Sequence, residues 1–147
     1  DLRMEGAARH PVRYNRELME WVLENLVKNG IDALKDGKGT IVLRVEDAPD
    51  GGVVLRVSDT GAGIPAGVRN RIFEPGFTTK QRGWGMGLAL VRRIVTQYHG
   101  GRIQIAATGP RGTTFAIHLP PGALTGKPRR KAGPKRPKKR KVSRVRS

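Results

Sequence analysis

Over 147 residues the chain carries 29 Lys and Arg, 12 Asp and Glu and no cysteine, for a net charge of +17. The length suits one domain with an appendage, and the lack of thiols excludes disulfides and thiolate metal centres and suits a reducing, cytoplasmic setting. The charge is uneven: 12 of the basic residues follow Thr125, no acidic residue follows Glu74, and residues 1–124 hold 17 basic against 12 acidic groups, an ordinary surplus of 5 for a globular body.

No apolar run approaches the roughly 20 residues that span a bilayer, and Asp1-Leu2-Arg3 lacks the basic-then-apolar order of a signal peptide. A chain opening on Asp1 rather than Met reads as a piece of a longer polypeptide, whose remainder can include a membrane anchor. Val12-Arg13-Tyr14 predicts a short edge strand, and Asn15 predicts a helix N-cap. From Arg16 the apolar residues Leu18, Met19, Val22, Leu23, Leu26, Val27, Ile31 and Leu34 follow three-four spacing, which predicts a helix with one wide apolar face ending at Asp36-Gly37. Residues 40–46 and 53–58 predict two strands joined by Asp50-Gly51-Gly52, a hairpin signal. A glycine-rich loop follows at 59–65, then a short helix over 66–73 with Pro65 at its start. Residues 74–87 lack periodicity and read as a mobile loop. Helical spacing returns over 88–98 and closes at His99-Gly100-Gly101. Two further strands, 102–107 and 113–119, flank a Gly-Pro turn, and Pro120-Pro121-Gly122 marks the domain end. The order predicts a two-layer α/β sandwich whose mixed, mostly antiparallel sheet is covered on one face by helices. The domain spans 1–122, and a basic tail, expected to be disordered, spans 123–147.

Three clusters carry chemistry. In NLVKNGIDAL, Asn25 and Asn29 stand one helical turn apart on one face. An amide oxygen suits Mg²⁺ beside phosphate, although two solvent-facing carboxamides would read the same. In DTGAGIP, Asp59 ends a strand before spaced glycines that let a ligand lie against bare backbone, and a carboxylate there can accept from an exocyclic amine; a plain surface turn has the same composition. In GWGMGLAL, alternate glycines lead into a helix start, whose free N–H groups attract anions; a linker capping a helix is the alternative. This last string is neither a dinucleotide fingerprint nor a P-loop.

Taken together and in order, these strings resemble the GHKL superfamily of ATP-binding domains, named for gyrase, the heat-shock chaperone, histidine kinases and the mismatch-repair protein MutL. NLVKNGIDAL is similar to its N box, DTGAGIP to its G1 box, RIFEPGFTTK to its F box and GWGMGLAL to its G2 box, with GPRGTTFAIHLP as the closing hairpin. The resemblance covers about residues 12–120. It implies that Asn29 binds Mg²⁺ with Asn25 facing the same site, that Asp59 bonds the adenine amine with support from Thr113, and that Gly61 and Gly63 shape the adenine pocket. It implies that Gly83, Gly85 and Gly87 form the lid hinge and phosphate-side N–H groups, and that Thr78 and Lys80 reach towards the γ-phosphate. Ile64, Phe73, Thr79, Met86 and Leu88 complete the implied ATP-contacting set.

The ATPase branches carry a water-activating glutamate where Asn25 stands. A carboxamide takes no proton near neutral pH, and Glu24 is turned about 100° away. With the F box, this resembles the catalytic ATP-binding domain of a bacterial sensor histidine kinase, of the nitrogen-regulator-sensor kind. Three positions depart from the pattern. Gly76 stands where an aromatic is usual, which would loosen the lid, Gly30 replaces an alanine, and Asp32 stands where some kinases are basic. The resemblance implies transfer of the γ-phosphoryl of MgATP to a histidine on a dimerisation domain, then relay to a response-regulator aspartate, in a homodimeric kinase. His10, His99 and His118 do not match the phosphoacceptor pattern of the family, so that histidine is expected upstream or on another protein. Two alternatives remain: a serine kinase of the anti-sigma-factor kind, and a nucleic-acid-binding protein with a regulatory ATP pocket. The tail suits nucleic acid or anionic lipid as well as it suits a solubilising role.

Overall fold

The computed structural model describes residues 1–81 and 83–122; the basic segment 123–147 lies outside the described residues. Five strands form one mixed sheet: β1 (Leu2–Gly6), β2 (Ile41–Asp47), β3 (Val53–Asp59), β4 (Arg102–Gly109) and β5 (Gly112–Leu119), ordered β1-β2-β3-β5-β4. β1 runs parallel to β2, and the other neighbours are antiparallel. The helices are α1 (Arg16–Ala33) and α2 (Gly87–Arg93), the latter continuing as a π turn over Ile94–Tyr98.

Alternation sorts the sheet into two faces. Ile41, Val57, Phe115, Ile117 and Leu119 are buried towards the helices, where they join Met19, Val22 and Leu26 of α1 and Val91, Ile94 and Val95 of the second helix in one core. The other face is polar, with an ion pair between Arg56 and Glu46 and a hydroxyl pair between Ser58 and Thr114. One packed and one open face is usual for antiparallel sheets. The same alternation puts Asp59 on the helix face, opposite Thr113 of β5 and Ile41 of β2.

α1 starts where predicted: the Asn15 side chain accepts the Leu18 N–H at 2.9 Å. It passes close over the sheet at Gly30, where an added Cβ would stand 2.6 Å from Ile41 Cδ1 and 3.2 Å from Asp59 Cβ.

Three expectations about elements are corrected. The edge strand is Leu2–Gly6, not Val12-Arg13-Tyr14; Val12 instead packs against the core. All five residues of β1 are exposed, so no burial pattern marks it in the sequence. The helix expected over 66–73 reduces to one 3₁₀ turn at Ala66–Val68 followed by turns, with Gly67 in its middle. The helix expected over 88–98 changes to π geometry at Ile94. Among the described residues no helix is long and apolar enough to cross a membrane.

Candidate nucleotide site

Asp59, the last residue of β3, has its two oxygens in different situations. Oδ1 accepts the Gly61 N–H at 2.8 Å and the Thr113 N–H at 3.3 Å, while Oδ2 has no hydrogen-bond partner among the described residues. Burial pushes its carboxyl above the usual carboxylate range, opposed by those two N–H bonds. A half-buried carboxylate with one oxygen anchored and the other free is suited to receive a donor.

The turn after Asp59 is held by close backbone packing. At Gly61 a Cβ would stand 2.5 Å from the Ala33 carbonyl oxygen at the end of α1, and the next N–H, of Ala62, donates to that same oxygen. Gly63 has φ +78° and would place a Cβ 2.0 Å from the Gly109 carbonyl oxygen. Ile64 donates its N–H to Thr108 Oγ1 at 2.9 Å, and Thr108 Oγ1 pairs with the buried Thr113 Oγ1. Thr113 therefore acts on Asp59 through its backbone, while its side chain braces the turn through Thr108. Sequence reasoning passed over Thr108 because a threonine in a strand end carries no spacing signal.

α1 presents Asn25 to the glycine-led start of α2 and Asn29, one turn further on, to Lys80 of the loop before it. Asn25 Nδ2 donates to the Trp21 carbonyl at 3.0 Å, and its Oδ1 lies 3.0 Å from where a Cβ of Gly87 would stand. The Lys80 ammonium donates to Asn29 Oδ1 at 3.2 Å and pairs with Asp32. The loop 74–86 thus reaches back to α1. It also closes on itself: Gly76 donates its N–H to the Gly85 carbonyl at 3.0 Å, and the Lys80 N–H donates to Thr78 Oγ1. Gly76 has φ +82° and Gly85 φ +66°, and at Gly85 a Cβ would meet the Gly76 backbone at 2.5 Å.

Not every candidate converges on Asp59. Phe73 packs edge-on against Phe115, with ring centres 6.2 Å apart, and Leu88 packs against the core, so both serve as apolar wall. Thr79 and Gly83 stand in the exposed loop, and Met86 is half exposed. A wide groove of about 680 Å³ is lined by Arg69, Phe73, Arg92 and the β4 strand and includes none of Asp59, Asn25 or Asn29.

The chain matches, over residues 14–123, the family described as "Histidine kinase-, DNA gyrase B-, and HSP90-like ATPase". It is 46% identical over 106 residues to the C4-dicarboxylate transport sensor protein DctB of Rhizobium meliloti, covering 71% of this chain and 17% of that one. It is 36% identical over 110 residues to the signal transduction histidine-protein kinase AtoS of Escherichia coli, covering 75% of this chain and 18% of that one. The chain therefore spans less than a fifth of these curated relatives. Among solved structures it superposes on the nucleotide-free catalytic domain of histidine kinase ThkA with a TM-score of 0.72 and 33% identity, covering 83% of this chain and 79% of that one. The chain belongs to the histidine kinase-, DNA gyrase B- and HSP90-like ATPase family, and its fold is that of a histidine kinase catalytic domain.

Proposed function

We propose that this domain binds MgATP and transfers the γ-phosphoryl group to a histidine on a dimerisation domain outside these residues, for relay to the aspartate of a response regulator. The observation that carries the reading is Asn25 against Gly87. A carboxamide, not a carboxylate, stands at the head of the glycine-led helix, and that side chain cannot deprotonate water. The triphosphate is then held intact until an imidazole nitrogen attacks phosphorus and ADP leaves, a step served by positioning and charge neutralisation. Asp59 Oδ2 takes the adenine amine. Asn29 Oδ1 already faces a cation, the Lys80 ammonium, and would hold Mg²⁺ as a single neutral oxygen ligand, the ion supplying charge neutralisation at the transferring group when bound.

The chain's own histidines support an acceptor elsewhere. His99 is buried, His118 pairs with Asp50, and His10 Nδ1 lies 3.1 Å from the Gly52 carbonyl. ATP as substrate places the working domain in the cytoplasm, whatever anchors the intact kinase. Mixing the chain with a separate histidine-bearing dimerisation domain and γ-labelled ATP should yield acid-labile label on that partner and hydrolysis near background. Acid-stable phosphoserine would favour the serine-kinase alternative, and rapid ATP turnover by the chain alone would contradict the role of Asn25.

Lys80 supplies a second prediction. Its pairing with Asp32 is part-exposed, and such pairs contribute about 0.2–1 kcal/mol. The ammonium occupies the Asn29 oxygen that Mg²⁺ requires, so Asp32→Asn should release it and tighten MgATP binding up to about fivefold. Lys80→Ala should instead weaken it, because the loop loses its reach to the γ-phosphate. Titration calorimetry distinguishes the two signs.

A further inference from the structure

His99 is a buried polar side chain that the reading above does not use: it is 2% exposed and sits where the π turn ends. Both ring nitrogens are engaged. Nε2 lies 3.0 Å from the Asn15 N–H, which can only donate, and Nδ1 lies 3.0 Å from the Ile94 carbonyl, which can only accept. The ring is therefore the neutral tautomer protonated at Nδ1, accepting at Nε2. Its two partners belong to different helices. Asn15 is the N-cap of α1, its side chain taking the Leu18 N–H and its carbonyl the Met19 N–H. Ile94 opens the π turn that continues α2.

The two helices run antiparallel and touch at two levels, the N-cap of α1 and its middle. At one end Gly87 abuts the Asn25 amide oxygen, and at the other His99 holds Asn15. Asn15 to Asn25 spans about 15 Å of helix, and Gly87 to His99 about 17 Å, so the two contacts bracket one packed pair. Between them lie Met19, Val22, Val91, Ile94 and Val95. Apolar contacts are non-directional and tolerate small axial shifts. Among the described residues the Asn15–His99 bond is the one side-chain hydrogen bond that joins these two helices.

We propose that His99 is a positioning residue for the metal and phosphate end of the site, setting the axial register of α1 against α2 and so the offset of Asn25 and Asn29 from the glycine-led helix start. The proposal rests on the MgATP reading given above. It places no demand on the adenine end, because α1 is packed there through Gly30 against Asp59 and through the Ala33 carbonyl against Gly61 and Ala62, so the helix that shifts is α2.

Two ligands separate the ends in the full chain: MgATP reads both, and adenosine, which has no phosphate, reads Asp59. His99→Asn keeps an amide donor for the Ile94 carbonyl and loses the acceptor for Asn15. It should weaken MgATP about tenfold and leave adenosine within twofold. His99→Gln carries an acceptor out to the Nε2 position and should recover most of the loss. Equal weakening of both ligands would mean general loosening and would overturn the proposal, as would no change in either. Should these variants fold poorly, the wild-type chain supplies the reciprocal test, because coupling between binding and the bond acts equally in both directions. Saturating MgATP should slow hydrogen exchange of the Asn15 amide about tenfold and adenosine should not; exchange unaltered by MgATP overturns the proposal. A failure of the MgATP reading looks different: the wild-type chain would then bind neither ligand.

Discussion

Replacing Asp59 with Asn is expected to abolish the rise in melting temperature that MgATP produces, while leaving the nucleotide-free chain at least as stable. The Asn oxygen can keep the two N–H bonds that Gly61 and Thr113 make to Oδ1. The atom that changes is Oδ2, which becomes an NH₂ and turns a donor towards the adenine amine. Loss of a bond to a charged acceptor and the unpaired donor together cost about 3 kcal/mol, more than 100-fold in Kd. The nucleotide-free chain responds in the opposite sense. Burial holds the folded Asp59 carboxyl above its ordinary range, so its contribution to stability is full in acid and is lost as pH rises through that raised value. At neutral pH the ionised group is a liability that Asn does not carry. MgATP affinity should follow the other branch and fall as pH drops through the same value, because the protonated carboxyl no longer offers Oδ2 as an acceptor. Thermal scans with and without MgATP across pH test all three statements, and an unchanged ligand-induced shift in Asp59→Asn would remove the adenine assignment.

Gly63→Ala should be strongly destabilising. The residue has φ +78°, where an L side chain costs about 1–2 kcal/mol. The added carbon would also stand 2.0 Å from the Gly109 carbonyl oxygen, forcing the β4–β5 turn away from the loop. That movement breaks the Ile64 to Thr108 bond, worth about 1 kcal/mol. The total, roughly 2–3 kcal/mol, corresponds to a fall in Tm on the order of 10 °C for a domain of this size. Gly67→Ala is the control: no heavy atom lies within 4 Å of its Cβ position and its φ is outside the left-handed region, so its Tm should hardly change.

The elements that local rules describe were legible. The three-four spacing from Arg16 and the Asn15 cap define α1 to within a turn, because burial of one helical stripe writes itself into the sequence. Both hairpins fall within one or two residues of their predicted limits. The elements that were misread depend on distant partners. β1 is five exposed residues made a strand by pairing with residues 41–45, and the π turn at Ile94–Tyr98 ends on His99, whose ring meets both the Ile94 carbonyl and the distant Asn15 N–H.

By itself the sequence determined the architecture and the order of the nucleotide-binding strings, since both rest on residue type at short spacing. It also determined that position 25 carries no base. Only the tertiary structure decided which Asp59 oxygen is spent and which is free, that Thr113 works through its backbone with Thr108 behind it, that Lys80 rests on Asn29, and which tautomer His99 adopts. Each rests on a contact between residues 51 to 84 positions apart, completed by short-range bonds from Gly61, Thr108 and Ile94. Such contacts arise when a sheet and two helices pack to exclude water, and packing acts on surfaces in space rather than on neighbours in the chain.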